Sequence, residues 1–314
     1  LMLFSVCAMT RLTKLARLPN VTGYILAGIL IGPYVLNLVP QRIIDGTDFL
    51  SDIALAFIAF STGEFFKLPV LKKSGMKVVW ITVFEAVLAS VFIFILTYFI
   101  LRLDLAFSIV LAALASATAP ASTMMTIRQT GAKGDFVDTL LQVVALDDVV
   151  GLVLYSIAIS IALASLSGVS GCSFETLGNP VLLNLLVLLL GSIFGLFMKL
   201  LMPQKRSKDN KLIISVALLF AFCGVCALLD LSPLLGCMAM GTVYANISGD
   251  DKLFKQLNYF SPPILLLFFV RSGLNFDLDA LVDNSESIGT TPLVVVGILY
   301  FLVRIMGKYA GAFL

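Results

Sequence analysis

Two adjacent carboxylates, Asp147 and Asp148, interrupt an apolar run that extends from about residue 136 to residue 165. The run otherwise consists mostly of Leu, Val, Ile and Ala, as in a membrane-spanning helix. A charged side chain near the centre of a bilayer costs at least about 2.5–3.5 kcal/mol on insertion scales. Two such residues in a row therefore indicate a functional site; the alternative is a helix end at which both acids reach water.

The preceding apolar run contains the sequence SATAPASTMMT at residues 116–126. Pro120 has no backbone donor, so the carbonyl of Ser116 loses its helical partner, and the residue before the proline is driven out of helical geometry. Irregular backbone at membrane depth is tolerated where it lines a cavity, and its free carbonyls coordinate cations. The pattern predicts a broken helix, with a simple proline kink patched by hydroxyl groups as the alternative.

The broken segment and the two acids lie at similar depth. Thr118 is 13 residues into its run from one side, and Asp148 is about 12 residues into the next run from the other side. At 1.5 Å per residue, both lie within about 5–6 Å of the midplane. We therefore predict an ion- and proton-binding site made of Asp148, Asp147 and Thr118. Its hard oxygen ligands suit Na⁺ or another monovalent cation, or protons in its place, rather than a soft transition metal.

Three further charged residues lie within apolar runs and could support this site. Glu85 is a third midplane acid, and Arg304 and Lys308 are four residues apart, hence on one helix face. Each would be costly alone, whereas pairing makes their burial tolerable. We predict a Glu85–Arg304 pair, with Lys308 or Arg304 near Asp147. The alternative for Lys308 is that its long side chain extends to the cytoplasmic interface.

The elements that must position these residues are membrane-spanning helices, because 60% of the 314 residues are hydrophobic and only 13% are charged. This composition excludes a soluble domain and predicts an all-α polytopic membrane protein. Nothing in the sequence indicates a cofactor or a nucleic-acid partner. Eleven runs are candidate spans: 1–10, 20–38, 50–66, 75–101, 105–128, 136–165, 180–202, 210–229, 232–247, 258–275 and 289–314.

The basic residues fall on one side of this predicted topology. The loops, counted with the adjoining span ends, alternate between the two sides of the membrane and so form two sets. The set whose first member is residues 11–19 contains 16 of the 21 Lys and Arg residues, and the other set contains 2. Cytoplasmic loops carry the excess of Lys and Arg. We therefore expect residue 1 outside, the basic loops in the cytoplasm, and a bacterial inner (plasma) membrane location.

The sequence also contains an internal repeat. LPNVTGYILAG around Gly23 resembles LSPLLGCMAMG around Gly236, and IAFSTGEFF resembles FFVRSGLNF, which sets Gly63 opposite Gly273. The two copies run in opposite directions across the predicted membrane, as in many secondary transporters. Since the second copy stops two spans earlier than the first, we expect thirteen spans in the intact protein, of which about eleven are present.

The repeat suggests a division of the chain. We predict scaffold and first-repeat helices in residues 1–104, ion-site core helices in 105–165, a linker span in 166–209, and an incomplete second inverted repeat in 210–314.

Four stretches resemble the monovalent cation:proton antiporter superfamily, in particular its second branch of bacterial sodium/proton antiporters and Kef-like proteins. They are LPNVTGYILAGILIGP, SATAPAS, ALDDVVGL and RIMGKYAG. The resemblance implies an inverted-repeat antiporter fold with broken helices and a homodimer in the lipid bilayer. It also implies that Asp148 alternately binds cation and proton, that Asp147 is held by a basic residue of the last span, and that Thr118 is a ligand. The two adjacent acids are similar to those of the electrogenic sodium/proton type.

We therefore expect a secondary active antiporter, not an enzyme, that exchanges Na⁺ or Li⁺, or alternatively K⁺, for protons by alternating access. A Kef-like gated potassium efflux system or channel is the alternative. A membrane-embedded enzyme is disfavoured because the sequence contains no HExxH or GxSxG pattern.

Overall fold

The computed structural model describes residues 2–16, 18–69, 72, 75–166, 174–202, 207–229, 231–249, 251–278 and 292–313, and no β-strand occurs among them. Their fourteen α-helices are α1 (Met2–Leu15), α2 (Asn20–Ile31), α3 (Gln41–Asp45), α4 (Asp48–Thr62), α5 (Met76–Phe94), α6 (Leu105–Ser116), α7 (Pro120–Thr130), α8 (Asp135–Leu166), α9 (Phe174–Leu201), α10 (Lys208–Leu228), α11 (Leu234–Ser248), α12 (Asp251–Phe260), α13 (Pro262–Leu274) and α14 (Leu293–Phe313). A 3₁₀ turn, Gly63–Phe66, extends α4, and a π-helical turn, Ile95–Ile100, extends α5.

The helices overlap all eleven predicted spans, which confirms the all-α membrane fold class. Within the described residues, five helices are long and apolar enough to cross a membrane, and the pair α12–α13, bent by 47°, makes a possible sixth. Three shorter apolar helices are α2, α6 and α11. The predicted span 20–38 is too long, because Gly32 ends α2 in extended geometry, as expected for a residue that precedes a proline.

Prolines mark where many helices begin. Pro120 and Pro262 are the first residues of α7 and α13, and Pro19, Pro40 and Pro233 immediately precede α2, α3 and α11. The first turn of a helix tolerates proline because its backbone N–H groups have no intrahelical acceptor. The sequence therefore fixes these starts locally.

The chain forms two compact units. The first comprises Leu1–Leu68, Ala121–Gly134 and Val187–Leu278, and the second comprises Pro69–Pro120, Asp135–Leu186 and Asp279–Leu314. The predicted division at residues 104, 165 and 209 follows chain order and stays a prediction.

Glycines bring the helices of the first unit into close contact in two equivalent ways. A Cβ on Gly28 of α2 would lie 2.0 Å from the carbonyl oxygen of Val270 in α13, and one on Gly273 would lie 3.0 Å from Gly28 Cα. A Cβ on Gly241 of α11 would lie 2.1 Å from the carbonyl oxygen of Phe60 in α4. The repeat relates α2 to α11 and the end of α4 to α13. The first helix of each copy therefore packs against the second helix of the other copy, and the two contacts are equivalent, in agreement with an inverted repeat.

The second unit is built from α5, α6, α8 and α14. Helix α5 packs against α6, α8 and α14, and α6 packs against α8. Ile93, Leu96, Ala112 and Ala115 form a buried apolar cluster between α5, its π-helical turn and α6. This cluster fixes the end of α6, at which the predicted site begins.

Candidate ion-binding site

The backbone breaks where the sequence predicts. Helix α6 ends at Ser116, Ala117 is extended with φ −68° and ψ 145°, and helical geometry resumes at Pro120. The last carbonyls of α6 have no intrahelical donor and carry the negative end of its dipole. They therefore form an acceptor surface inside the second unit.

The ammonium group of Lys308 lies at the centre of the site. Its three N–H donors are shared among four acceptors: Asp147 Oδ2, Thr118 Oγ1 and the carbonyl oxygen of Ser116, each 2.8 Å from Nζ, and Glu85 Oε1 at 2.9 Å. Two of these contacts are ion pairs, and Asp147 is fully buried in its pair. One lysine of α14 thus joins α5, the broken helix and α8.

The guanidinium of Arg304, one turn earlier in α14, binds the same helix end. Its Nε donates to the carbonyl oxygen of Ala115 at 3.0 Å, and Nη2 donates to the carbonyl oxygen of Ala117. Together with the bond from Lys308 to Ser116, two cations therefore satisfy three consecutive carbonyls. Cations are stabilising at this end of a helix.

Small residues allow this close assembly. A Cβ on Gly311 would lie 2.5 Å from Glu85 Cα, and one on Gly307 would lie 2.8 Å from Ala89 Cα, so α14 can approach α5 only because both positions are glycine. A Cβ on Gly151, one turn after Asp147, would lie 3.0 Å from the Cβ of Ala117. This contact brings α8 against the break.

Asp147 and Thr118 are in direct contact, because the Thr118 hydroxyl donates to Asp147 Oδ2. The other carboxylate oxygen of Asp147, Oδ1, is buried and has no hydrogen-bond partner among the described residues. An unpartnered buried carboxylate oxygen is costly, so it marks a position that a cation or a proton can fill.

Asp148, the next residue, is only partly buried, and the described part of the chain provides it with no hydrogen bond or ion pair. We call Glu85, Asp147, Asp148, Arg304 and Lys308 the charge cluster. With every group ionised, three acids and two bases give it a net charge of −1. The uncompensated charge is that of Asp148.

The predicted pairing of the supporting charges requires a correction. The Glu85–Arg304 pair is wrong: Glu85 binds Lys308, and Arg304 binds backbone carbonyls instead. The alternative in which Lys308 extends to the membrane interface is also wrong, since its side chain is directed at Asp147. Because Arg304 and Lys308 share one helix face, only their depth along α14 decides which of them meets the acids.

Gln142 is a buried polar residue near the site that was not among the predicted site residues. It is 4% exposed, and neither atom of its amide has a partner among the described residues. It precedes Asp147 by five positions in α8, and a lone amide in an apolar run was the available signal.

Comparison with known proteins gives a consistent result. The family described as "Sodium/hydrogen exchanger, transmembrane" matches residues 1–314. The chain is 25% identical over 284 residues to the iron transporter MagA of Paramagnetospirillum magneticum, an alignment that covers 90% of this chain and 63% of that protein. The chain thus spans less than two thirds of the length of this curated relative.

Two solved structures share the fold. They are the sodium proton antiporter MjNhaP1 from Methanocaldococcus jannaschii at pH 8, with a TM-score of 0.68, and a three-dimensional electron-microscopy map of the same antiporter, with a TM-score of 0.74. Each is 18% identical, and the matches cover 99% of this chain and 77% and 76% of those chains. The assignment to the second branch of the superfamily stays a prediction. At the family level the match over the whole chain is decisive: this integral membrane protein belongs to the sodium/hydrogen exchanger family.

Proposed function

We propose that this protein exchanges a monovalent cation, Na⁺ or Li⁺ with K⁺ as a third candidate, for protons by alternating access. One observation carries the proposal. The ammonium of Lys308 is surrounded by four oxygens at 2.8–2.9 Å, a set that suits a small cation, and the neighbouring carboxylate of Asp148 has no partner in the described residues.

In this proposal Asp148 binds the transported ion. We place the cation between the carboxylate of Asp148 and the unpartnered Oδ1 of Asp147, with the hydroxyl oxygen of Thr118 as a third ligand. Lys308 then keeps Glu85 as a partner when it yields its contact with Asp147. Because Glu85 stays beside Lys308, breaking the ion pair between Lys308 and Asp147 costs less free energy.

The charge count explains why exchange is obligatory. The empty cluster has a net charge of −1, and moving an uncompensated charge through a low-dielectric medium is unfavourable. One cation or one proton on Asp148 makes the cluster neutral. Only the occupied states then change their exposure to the two sides, so flux of one ion requires counterflux of the other.

The count also favours one proton per cation, because a single cation or a single proton on Asp148 already neutralises the cluster. The resemblance to electrogenic antiporters implies instead that a second group releases a proton. A clamped membrane potential in liposomes separates the two: one-for-one exchange is independent of voltage, and two protons per cation give a rate that responds to it.

The remaining parts of the proposal concern the setting. Residue 1 lies outside a bacterial inner membrane, the basic loops lie in the cytoplasm, and the protein is a homodimer. The basic-residue asymmetry supports the orientation. Cysteine labelling of the loops from either side of right-side-out vesicles tests it.

The experiment that tests the function reconstitutes the full-length protein in liposomes with an internal pH dye. Na⁺, Li⁺ and K⁺ are added in turn, with Fe²⁺ as a fourth addition because MagA is named an iron transporter. We expect a cation-driven pH change that Asp148→Asn abolishes. The control is Asp138→Asn, which removes an exposed acid of the same helix. Cation flux without proton movement would support the channel alternative instead, and equal loss in both variants would refute the role of Asp148.

A further inference from the structure

A cavity of about 740 Å³ lies within the first unit, whereas the residues of the charge cluster belong to the second. Its lining includes Leu212 from α10, Lys255, Tyr259 and Phe260 from α12, and Ile264 from α13. Apolar groups form most of the wall, and Lys252 and Lys255 are the charged residues among its described lining. The cavity thus combines an apolar interior with a cationic edge.

Helix α12, which forms one wall, has two distinct faces. Leu253, Phe254 and Leu257 are fully buried, whereas Lys255 is exposed and Tyr259 is 91% exposed. A helix with an apolar face, lysines and an aromatic residue is typical of a segment in the plane of a membrane interface. The 47° bend between α12 and α13 gives such a helix a direction different from that of the apolar helix after it.

The position of α12 in the chain indicates which leaflet it meets. It belongs to the loop set that carries 16 of the 21 basic residues, the set expected on the cytoplasmic side. Anionic lipids give the cytoplasmic leaflet its negative surface potential, and each lysine near that surface contributes to binding. Lysines at the edge of an apolar cavity therefore complement an anionic headgroup above an acyl chain.

We propose that this cavity binds an anionic phospholipid of that leaflet. Lys252 and Lys255 hold the headgroup phosphate, and Leu212, Phe260 and Ile264 receive an acyl chain. The described lining of the cavity includes no residue of the charge cluster, and the proposal does not depend on the proposed function. Lipid binding can therefore be measured whether or not the protein exchanges ions.

Native mass spectrometry of the full-length protein in detergent tests the proposal, with phosphatidylglycerol and phosphatidylcholine of identical chains as probes. The variant is Lys252→Gln/Lys255→Gln. The control is Lys14→Gln/Lys133→Gln, which removes the same charge from exposed lysines of two other loops of the set. We expect the variant to bind phosphatidylglycerol about 30-fold more weakly, since each lysine contributes about fivefold, and the control to bind as wild type does.

A second variant tests the apolar part of the cavity. Ile264→Trp fills the space for the acyl chain, so it should weaken both lipids while the protein keeps its unfolding temperature. Soluble glycerol phosphate should not displace phosphatidylglycerol, because the site requires the acyl chain. If the wild-type protein binds the two lipids equally, the surface is non-specific and the proposal is overturned. If the lysine variant loses its dimers while its lipid binding is unchanged, the surface is covered by protein and the proposal is likewise overturned.

Discussion

The pairing of Glu85 with Lys308 gives the most specific prediction about the cluster. The two groups are 2.9 Å apart, with side-chain exposures of 14% and 16%. At that distance and an effective dielectric constant of about 20, their attraction is about 6 kcal/mol. Loss of hydration offsets several kcal/mol of it. We therefore expect a net coupling free energy of about 2–3 kcal/mol between these two side chains.

A double-mutant cycle measures this coupling. Lys308→Gln alone leaves two buried carboxylates without their cation, and Glu85→Gln added to it returns the formal charge of the cluster to −1. An unfolding entropy of about 2.1 cal/mol/K per residue corresponds to about 1.5 °C per kcal/mol for a chain of 314 residues. The unfolding temperature of the double variant should accordingly be about 3–5 °C higher than the value obtained by adding the shifts of the two single variants.

The assay is thermal unfolding of the purified protein in one detergent, followed by intrinsic fluorescence. The matched cycle is Glu85→Gln with Arg304→Gln, for which we expect a smaller coupling than the value for Lys308, because no hydrogen bond or ion pair joins these two side chains and only a longer-range attraction remains. A larger coupling to Arg304 than to Lys308 would refute the assignment of partners.

Three further outcomes are expected. Arg304→Gln leaves two carbonyls of the broken helix without donors and should lower the free energy of unfolding by about 1–3 kcal/mol for each, measured by the same unfolding assay. Arg304→Lys should recover only part of this stability, because one ammonium cannot reproduce the geometry of the guanidinium. Gly311→Ala should lower the unfolding temperature, since the added Cβ would lie 2.5 Å from Glu85 Cα, whereas Gly297→Ala in the same helix meets nothing within 4 Å and should be neutral. Thr118→Val should weaken cation-driven exchange in liposomes and Thr118→Ser should retain it, since only the serine keeps the hydroxyl; equal activity of the two would contradict a ligand role.

Local chemistry explains what the sequence predicts about the site. Pro120 removes one backbone donor, so the missing helical partner of the Ser116 carbonyl follows from residue types alone, whereas the choice between a break and a simple kink does not. Asp147 and Thr118 were expected together because each lies near the middle of its run. The long apolar runs likewise predict the helices, since a membrane requires each span to satisfy its own backbone.

Residue types alone do not predict whether Arg304 or Lys308 pairs with each acid. Arg304 and Lys308 occupy one face of α14, and the choice between them depends on how α14 is placed along α5. That placement depends on the contact of Gly307 and Gly311 with α5, a tertiary property. The spacing of these glycines was visible, but the helix they contact was not.

The amphipathic helix α12 was not predicted from the sequence, for a different reason. The predicted spans are continuous apolar runs, and Asp251–Phe260 is not one. Its buried residues recur with helical spacing between lysines and polar residues. The 3.6-residue period of these buried positions is the sequence signal that indicates a helix here.

The central claim is that a cation and a proton compete for Asp148, and the pH dependence of the apparent KM for Na⁺ tests it most directly. The rate of Na⁺-driven exchange is measured in liposomes over a range of Na⁺ concentrations at each of several pH values. Competition at one site predicts that the apparent KM rises up to about tenfold for each unit fall in pH, while the rate at saturating Na⁺ stays constant. An apparent KM that is independent of pH, with a saturated rate that falls instead, would contradict the account.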